Sequence, residues 1–435
     1  MKEYNIDEFQ KWLEKYVNFE HAPDASLFRL ETTERLCEEL SHPELSYKTF
    51  HVTGSKGKGS VSKMISCILD EMQGGNSPVG VYASPHIYDF RERVSTANGF
   101  FENNIYNKSI KDFTTYIDKL SDHEDCGSWF ELNAAFGMNT FREAGCNYAV
   151  FEVGMGGRLD ATNVIKPEIC AITTIELEHT EFLGDTLEKI ALEKAGIIKE
   201  STPVVVFHQK TKSVDEVFIK KANEMHAPIY FVEDYASVSE ISYENSRMHI
   251  QIEGELFEKP LEANLQMLSP VQAKNACMAA VVMKIYNPEI TNETIKKGLE
   301  KASLPGRFEI RGNLILDGAH TPLSVKNTVE TFEKLYQNSD KKYLIFGMAL
   351  GKDLAHVVPL FKDKFDKIYV TKPGDFKKSD VSEITRVFCQ NNIEIIADED
   401  YKTIIKQALA GAEQDHATVL ATGSFYLLNE INQLI

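Results

Sequence analysis

Cysteine is scarce and scattered in this 435-residue chain: seven residues, at positions 37, 67, 126, 146, 170, 277 and 389, with no Cys-x-x-Cys pair among them. An odd, unclustered set argues against a disulfide framework and suits the reduced thiols of a cytoplasm. Long apolar runs are missing too, since none approaches the ~20 residues of a membrane span. The opening MKEYNIDEFQKW carries acidic residues where a signal peptide has its apolar core. Basic charge is short: 47 Lys and Arg stand against 65 Asp and Glu, a formal charge of −18. Nucleic acid and anionic membranes would repel such a surface, so an anionic ligand must be met by local basic groups. No internal repeat or low-complexity tract is visible. The expectation is a soluble, cytoplasmic monomer whose partners are small molecules rather than nucleic acid or membrane.

What is present is more specific. In His51–Ser60, HVTGSKGKGS, an apolar run from Tyr47 ends in a glycine-rich turn before a helix-like stretch, Val61–Met72. Gly54, Gly57 and Gly59 let several backbone N–H groups turn toward one anion, and Lys58 adds charge at the helix N-terminus. Ser55, Lys56 and Ser60 complete the loop. The general phosphate-loop pattern asks for four residues between its glycines, but only Ser55 and Lys56 separate Gly54 from Gly57. A tight strand-to-helix connection with no ligand is the alternative.

A chain this long exceeds a single hydrophobic core, and its 43% hydrophobic content is that of a globular protein. Apolar, β-branched runs at Tyr47–Thr53, Val79–Tyr82, Tyr148–Val153, Ile169–Thr174, Val204–Phe207 and Ile229–Val232 alternate with helical patterns, which predicts a mainly parallel sheet. From about Ala236 to Ala263 the pattern is alternating and hairpin-like. Helices return at Pro270–Tyr286 and Thr291–Ala302. After the break at Ser303-Leu304-Pro305-Gly306 a second series follows, with strands expected at Leu314–Leu316, Tyr343–Phe346, Lys367–Val370, Ile393–Ile396 and Thr418–Ala421. The fold class is α/β. Residues 1–304 are read as a P-loop NTPase-like, mainly parallel-sheet domain with a small antiparallel annex, and residues 305–435 as a Rossmann-like α/β domain.

Further candidates lie where strands end. Glu152 closes Phe151-Glu152-Val153-Gly154-Met155-Gly156-Gly157-Arg158, and a carboxylate at the carboxyl edge of a parallel sheet can hold Mg²⁺ beside phosphates. A glutamate that only caps a neighbouring loop is the competing reading. His179, in Ile175–Thr180, could complete a magnesium site or serve as an ordinary hydrogen-bonding group. Lys194, in EKIALEKAGIIK, reads by itself as a surface lysine paired with nearby glutamates. Ser84, just past a strand, offers a hydroxyl to a metal, and Arg91 and Arg93 could attract an acidic substrate or simply be solvated. Arg307, in PGRFE, and Asp317–Pro322, DGAHTP, supply a hinge arginine and a polar turn in the second domain.

Taken together and in order, GSKGKGS (Gly54–Ser60), YASPH (Tyr82–His86), EVGMGGRLDATN (Glu152–Asn163), EHTEFLGDTLEKIALEKAGIIK (Glu178–Lys199), PGRFE, DGAHTP and GSFYL (Gly423–Leu427) resemble the folylpolyglutamate synthase and dihydrofolate synthase family of the Mur ligase superfamily. The resemblance spans most of the chain. It implies an ATP-dependent amide ligase in which a substrate carboxylate takes the γ-phosphoryl group and L-glutamate then displaces phosphate. By residue, it implies that Gly54–Ser60 bind the ATP phosphates and that Ser84, Glu152 and His179 ligate Mg²⁺. Lys194 corresponds to a carbamylated lysine that could hold a second Mg²⁺. Lys58, Lys194, His179 and Arg307 are then the catalytic candidates; Asn275 and Arg307 contact ATP and Asp317 its ribose. Arg91, Arg158, Asp160, His320 and Ser424 are candidate substrate residues, and the second domain is expected to close through Ser303–Gly306 to exclude water from the acyl phosphate. Lys56 stands where an asparagine is common, Glu178 where an aspartate is usual, and Thr321 where asparagine is frequent. Phe28–Thr32 is a poor version of the family's N-terminal pterin-side pattern, whereas GGRLDATN resembles enzymes that also accept dihydropteroate. The expected substrates are ATP, L-glutamate and folate or dihydropteroate. The alternatives are a Mur-type amino-acid ligase with a non-folate carboxylate substrate and a P-loop small-molecule kinase.

Overall fold

The computed structural model describes residues 5–16, 29–117 and 127–435; Phe28 of the N-terminal pattern and Cys126 lie outside them. The chain divides into two compact units. The first comprises Met1–Ile241, His249–Leu265 and Val271–Ala302, and the second Ser303–Ile435 with Ser242–Met248 and Gln266–Pro270. The second unit thus begins at Ser303 and also recruits two short pieces from earlier in the chain.

Among the described residues, seven strands build the main sheet of the first unit: β1 Lys48–Thr53, β2 Val79–Tyr82, β3 Val94–Thr96, β4 Tyr148–Glu152, β5 Pro167–Ile172, β6 Val204–Val206 and β7 Ile229–Phe231. Their order is β3-β2-β4-β1-β5-β6-β7. Every pairing is parallel except β2 with β3. The central strands are buried along nearly their whole length, as continuous apolar runs covered on both faces require. One apolar cluster gathers Phe9, Trp12, Phe113, Phe136, Phe141 and Phe151, and another Val153, Ile172, Ile190, Val204 and Phe218. The helix Trp129–Glu143 begins with a capping box, Ser128 and Glu131, and is buried from Glu131 through Phe141.

The annex is a three-stranded sheet of β8 Ser237–Glu244, β9 Arg247–Glu253 and β10 Leu261–Leu265, with β9 central. Asn245 and Ser246 join β8 to β9 with φ of 49° and 56°, the two-residue hairpin geometry that matches strand twist. The second unit has six strands: β11 Glu309–Arg311, β12 Leu314–Asp317, β13 Lys342–Phe346, β14 Lys367–Val370, β15 Ile396–Ala397 and β16 Thr418–Thr422, in the order β11-β12-β16-β13-β14-β15. Only β11 runs antiparallel to its neighbour. The strand expected at Ile393–Ile396 is instead the two-residue edge β15, because β14 offers partners only at Tyr369 and Val370. Among the described residues no helix is long and apolar enough to cross a membrane.

Candidate functional site

Four strands of the first sheet deliver the candidate residues from their carboxyl ends. β1 ends at Thr53 and the chain passes through Gly54–Gly57 into the helix Lys58–Met72, whose N-cap is Gly57. The loop is pinned on one side: the Ser55 amide donates to the Thr174 carbonyl at 2.7 Å, and the Ser55 hydroxyl accepts from the Glu176 amide at 3.0 Å. Gly54 has φ of 141°, and a Cβ there would fall 1.8 Å from Thr173 Oγ1. No other residue fits that turn. On the other side, a Cβ on Gly57 would sit 2.7 Å from Oδ1 of buried Asn275, whose amide nitrogen donates to Gln272 at 2.9 Å. Asn275 therefore lies against the loop.

Two lysines converge on one backbone carbonyl. Lys58 Nζ and Lys194 Nζ each donate to the Gly54 oxygen at 2.9 Å. Lys194 is 1% exposed, on the helix Leu187–Ala195, and also donates to Glu178 Oε1 at 3.0 Å. Lys56 lies 3.9 Å from the other Glu178 oxygen. Burial, and then the charge of Lys58, lower the Lys194 pKa to about 8, although Glu178 opposes the shift. Burial acts to raise Glu178, but Lys194, Lys58 and Lys56 outweigh it and hold this carboxyl below the usual range. The surface-lysine alternative for Lys194 is thereby overturned. The partner Glu178 was hidden in Glu176-Leu177-Glu178, where nothing local tells which acid meets the lysine.

Glu152, at the end of β4, faces the same helix start: a Cβ on Gly59 would lie 3.2 Å from its Oε2. The Ser84 amide donates to that oxygen at 3.4 Å, and Ser84 Oγ lies 3.5 Å from where a Cβ on Gly154 would be. His179 follows Glu178, with φ of 46°. The residue is exposed, yet desolvation of its ring, then Lys194 and Lys58, lowers its pKa against the pull of Glu178 and Glu181, which favours the neutral imidazole.

The remaining first-unit candidates are engaged with neighbours. Arg91 pairs with Asp89 at 2.6 Å and stacks on Phe100. Buried Arg93 donates to His86 Nδ1 at 2.7 Å and stacks on Trp129. Arg158 pairs with Glu193 at 3.0 Å, and its amide donates to the Glu193 carbonyl at 2.8 Å. That contact lays the glycine loop on the Lys194 helix, which the absence of side chains at Gly157 and Gly196 permits: a Cβ on either would come within 2.8 Å of backbone. Asp160 caps the short helix Ala161–Val164.

The second unit has its own cluster. Buried Asp317 ends β12 and accepts from the Phe308 amide at 2.8 Å, the Ala319 amide at 2.9 Å and the Thr328 hydroxyl at 3.0 Å. Burial raises its pKa against these bonds and the charge of Arg307. Arg307 stacks on Phe425 at 4.7 Å, His320 meets the same ring edge-on, and the His320 Nδ1 lies 2.9 Å from the Gly318 carbonyl. Ser424 caps the helix Phe425–Leu434. Phe425 was not singled out in the sequence; GSFYL marked only its place.

Comparison with known proteins decides the family. The Mur ligase middle domain matches residues 52–283, and the Mur ligase glutamate ligase domain residues 306–425. The chain belongs to the Mur ligase family. Within it, the chain falls in the folylpolyglutamate synthase and dihydrofolate synthase branch. It is 28% identical over 421 residues to the dihydrofolate synthase/folylpolyglutamate synthase of Bacillus subtilis, covering 92% of this chain and 93% of that one. A probable bifunctional folylpolyglutamate synthase/dihydropteroate synthase of Haloferax volcanii is 30% identical over 408 residues, and there the chain spans only 47% of the relative's length. The crystal structure of the folylpolyglutamate synthase of Thermotoga maritima superposes with a TM-score of 0.83 at 28% identity, covering 98% of this chain and 95% of that one.

In this Mur ligase, Ser84 and Glu152 offer hard oxygen donors beside a helix N-terminus, and His179 a neutral nitrogen. Among the described residues no three of His, Cys, Asp and Glu form a metal cage. Ser84 and Glu152, which the structure brings together, fit Mg²⁺, an ion that keeps several waters and binds through one or two carboxylates plus phosphate oxygens; His179 lies instead beside Glu178 and the two lysines. As an ammonium, Lys194 is a cation in that group rather than a ligand.

Proposed function

We propose that the chain is an ATP-dependent amide ligase that adds L-glutamate to folates, tetrahydrofolate among them, and to dihydropteroate, through an acyl-phosphate intermediate. The observation that carries this reading is the convergence of Lys58 and buried Lys194 on the Gly54 carbonyl of the phosphate loop, beside Glu152 and Ser84. A carboxylate is a poor electrophile until phosphorylated, and its approach to ATP brings two anions together. Lys58, the loop amides and the helix N-terminus offset that repulsion at the γ-phosphate. The substrate oxygen attacks phosphorus and ADP leaves; the glutamate nitrogen, its ammonium deprotonated, then attacks the acyl carbon and phosphate leaves. Mg²⁺ at Ser84, Glu152 and His179 would add charge neutralisation to the same oxygens.

Lys194 is assigned a carbamate. Its lowered pKa supplies the neutral amine that reacts with CO₂, and the product is a carboxylate-like anion able to hold a second Mg²⁺. Asn275 and Arg307 are assigned to ATP and Asp317 to the ribose, the last through whatever acceptor capacity its three fold contacts leave. Arg91, Arg158, Asp160, His320 and Ser424 are assigned to the substrates. The relatives' names, folylpolyglutamate synthase and dihydrofolate synthase, support a folate as acceptor and dihydrofolate as a product. The same reading has the chain act as a cytoplasmic monomer without nucleic-acid or membrane partners; its charge of −18 supports the exclusion of those anionic surfaces.

The test is ADP release from Mg-ATP with dihydropteroate, tetrahydrofolate or neither, each with and without glutamate. Release that requires both a pteridine acid and glutamate is expected. Turnover independent of glutamate would sink the ligase reading in favour of a kinase, and turnover with some other carboxylate acid alone would displace folate.

A further inference from the structure

His51 lies in the middle of β1, fully buried, and none of the chemistry above uses it. Its Nε2 is 2.8 Å from Thr162 Oγ1, and the Thr162 hydroxyl donates to Asp160 Oδ1 at 2.5 Å. That hydroxyl has one proton, so His51 must carry its own on Nε2 and donate it to Thr162. Nδ1 is left as a buried lone pair with no hydrogen-bond partner. The opposite arrangement would place an unpaired N–H there, and orphaned buried donors are rarer than under-satisfied acceptors. Burial, with the charge of Lys199, keeps the ring neutral, its pKa lowered to about 3.

The far end of this relay is the glycine loop. Asp160 Oδ1 also accepts from the Thr162 amide at 3.0 Å, and Oδ2 accepts from the Met155 amide at 3.0 Å. Gly154, the next residue back, borders both Asp160 Oδ2 and Ser84 Oγ, and Glu152 is two residues earlier. A histidine on β1 thus fixes, through one hydroxyl and one carboxylate, the backbone that leaves the end of β4.

We propose that His51 is a positioning residue: through Thr162 it locks Asp160 as the acceptor for the loop amides and so sets the placement of Glu152 and Ser84 toward the metal–phosphate group. This rests on the ligase reading. It also gives Asp160 a role in shaping the loop besides its assignment to substrate.

The test measures Mg²⁺-dependent binding of a non-hydrolysable ATP analogue by calorimetry in wild type, His51→Leu, Thr162→Val, the double variant and His51→Gln. Outer partners of metal ligands typically carry 10–100-fold effects, so the Mg²⁺ concentration for half-maximal binding should rise about tenfold in His51→Leu and Thr162→Val, with metal-free nucleotide affinity unchanged. The double variant should be no worse than either single, as expected for one relay. His51→Gln, which returns an N–H donor near the Nε2 position, should rescue His51→Leu. An unmoved Mg²⁺ requirement in Thr162→Val would overturn the proposal, even where His51→Leu fails to fold. Losses that multiply in the double variant, or a Gln variant as impaired as Leu, would overturn it too. Wild-type protein that binds no nucleotide would instead overturn the ligase reading beneath.

Discussion

Lys194 yields the sharpest chemical prediction. An ordinary lysine, with pKa 10.5, is about one part in a thousand neutral at pH 7.5, whereas a pKa of about 8 leaves roughly a quarter of Lys194 as free amine. The difference, on the order of 200-fold in the form that attacks CO₂, comes from burial and from Lys58, the second cation on the Gly54 carbonyl. Protein equilibrated with ¹³C-bicarbonate at pH 7.5 should therefore show a carbamate carbon by NMR that is absent from Lys194→Met. Glu178→Gln removes the group that stabilises the ammonium, so its Lys194 should be neutral over a wider pH range and label at lower bicarbonate. Lys194→Ala should lose at least about 100-fold in ligase turnover, the scale of removing one preorganised charge from a transition state, while its circular dichroism stays that of wild type. No carbamate signal from folded wild type between pH 7 and 9, or an equal signal from Lys194→Met, would refute the reasoning.

Three further outcomes follow from single contacts. Gly54→Ala forces a Cβ to 1.8 Å from Thr173 Oγ1 at φ of 141°, so it should destabilise by about 2–3 kcal/mol and abolish nucleotide binding; wild-type affinity by calorimetry would contradict this. His51 is neutral in the folded chain down to about pH 3 but protonates near 6.5 when unfolded. The unfolded state therefore binds more protons on acidification, and stability falls as pH drops through that window, by about 3 kcal/mol between pH 6.5 and 4. Urea unfolding of His51→Gln should lack this loss; an identical acid slope would remove His51 as its source. Arg158→Ala gives up a half-exposed ion pair with Glu193, so stability should change by less than about 1 kcal/mol. A rise in KM for the pteridine acid or glutamate would then mark a substrate residue, and an unchanged KM would leave only the pairing with Glu193.

Much of this was legible in the chain. Glycines announce themselves where a neighbour must come too close for a side chain, and Gly54, against Thr173, Gly57, against Asn275, and Gly157, against the Glu193 and Lys194 carbonyls, do so here. Strands buried on both faces read as apolar runs, so the parallel cores of both sheets were found. The antiparallel edges β3 and β11 were not, because three residues carry no period to read. Long-range polar pairings were equally silent. Glu178 meets Lys194 sixteen positions on, and His51 reaches Thr162 across 111. The three donors on Asp317 were silent as well, since the Phe308 and Ala319 amides and the Thr328 hydroxyl reach it only once the strand and its flanking turn and helix are folded.

In the proposed reaction ATP activates a carboxylate that glutamate then captures. This activation is tested most directly by labelling the acceptor carboxylate with ¹⁸O and following the label through one turnover with Mg-ATP and L-glutamate. One ¹⁸O per product formed should appear in inorganic phosphate, because the attacking oxygen leaves with the phosphoryl group. Phosphate free of ¹⁸O, with amide product still formed, would contradict an acyl phosphate and the account built on it.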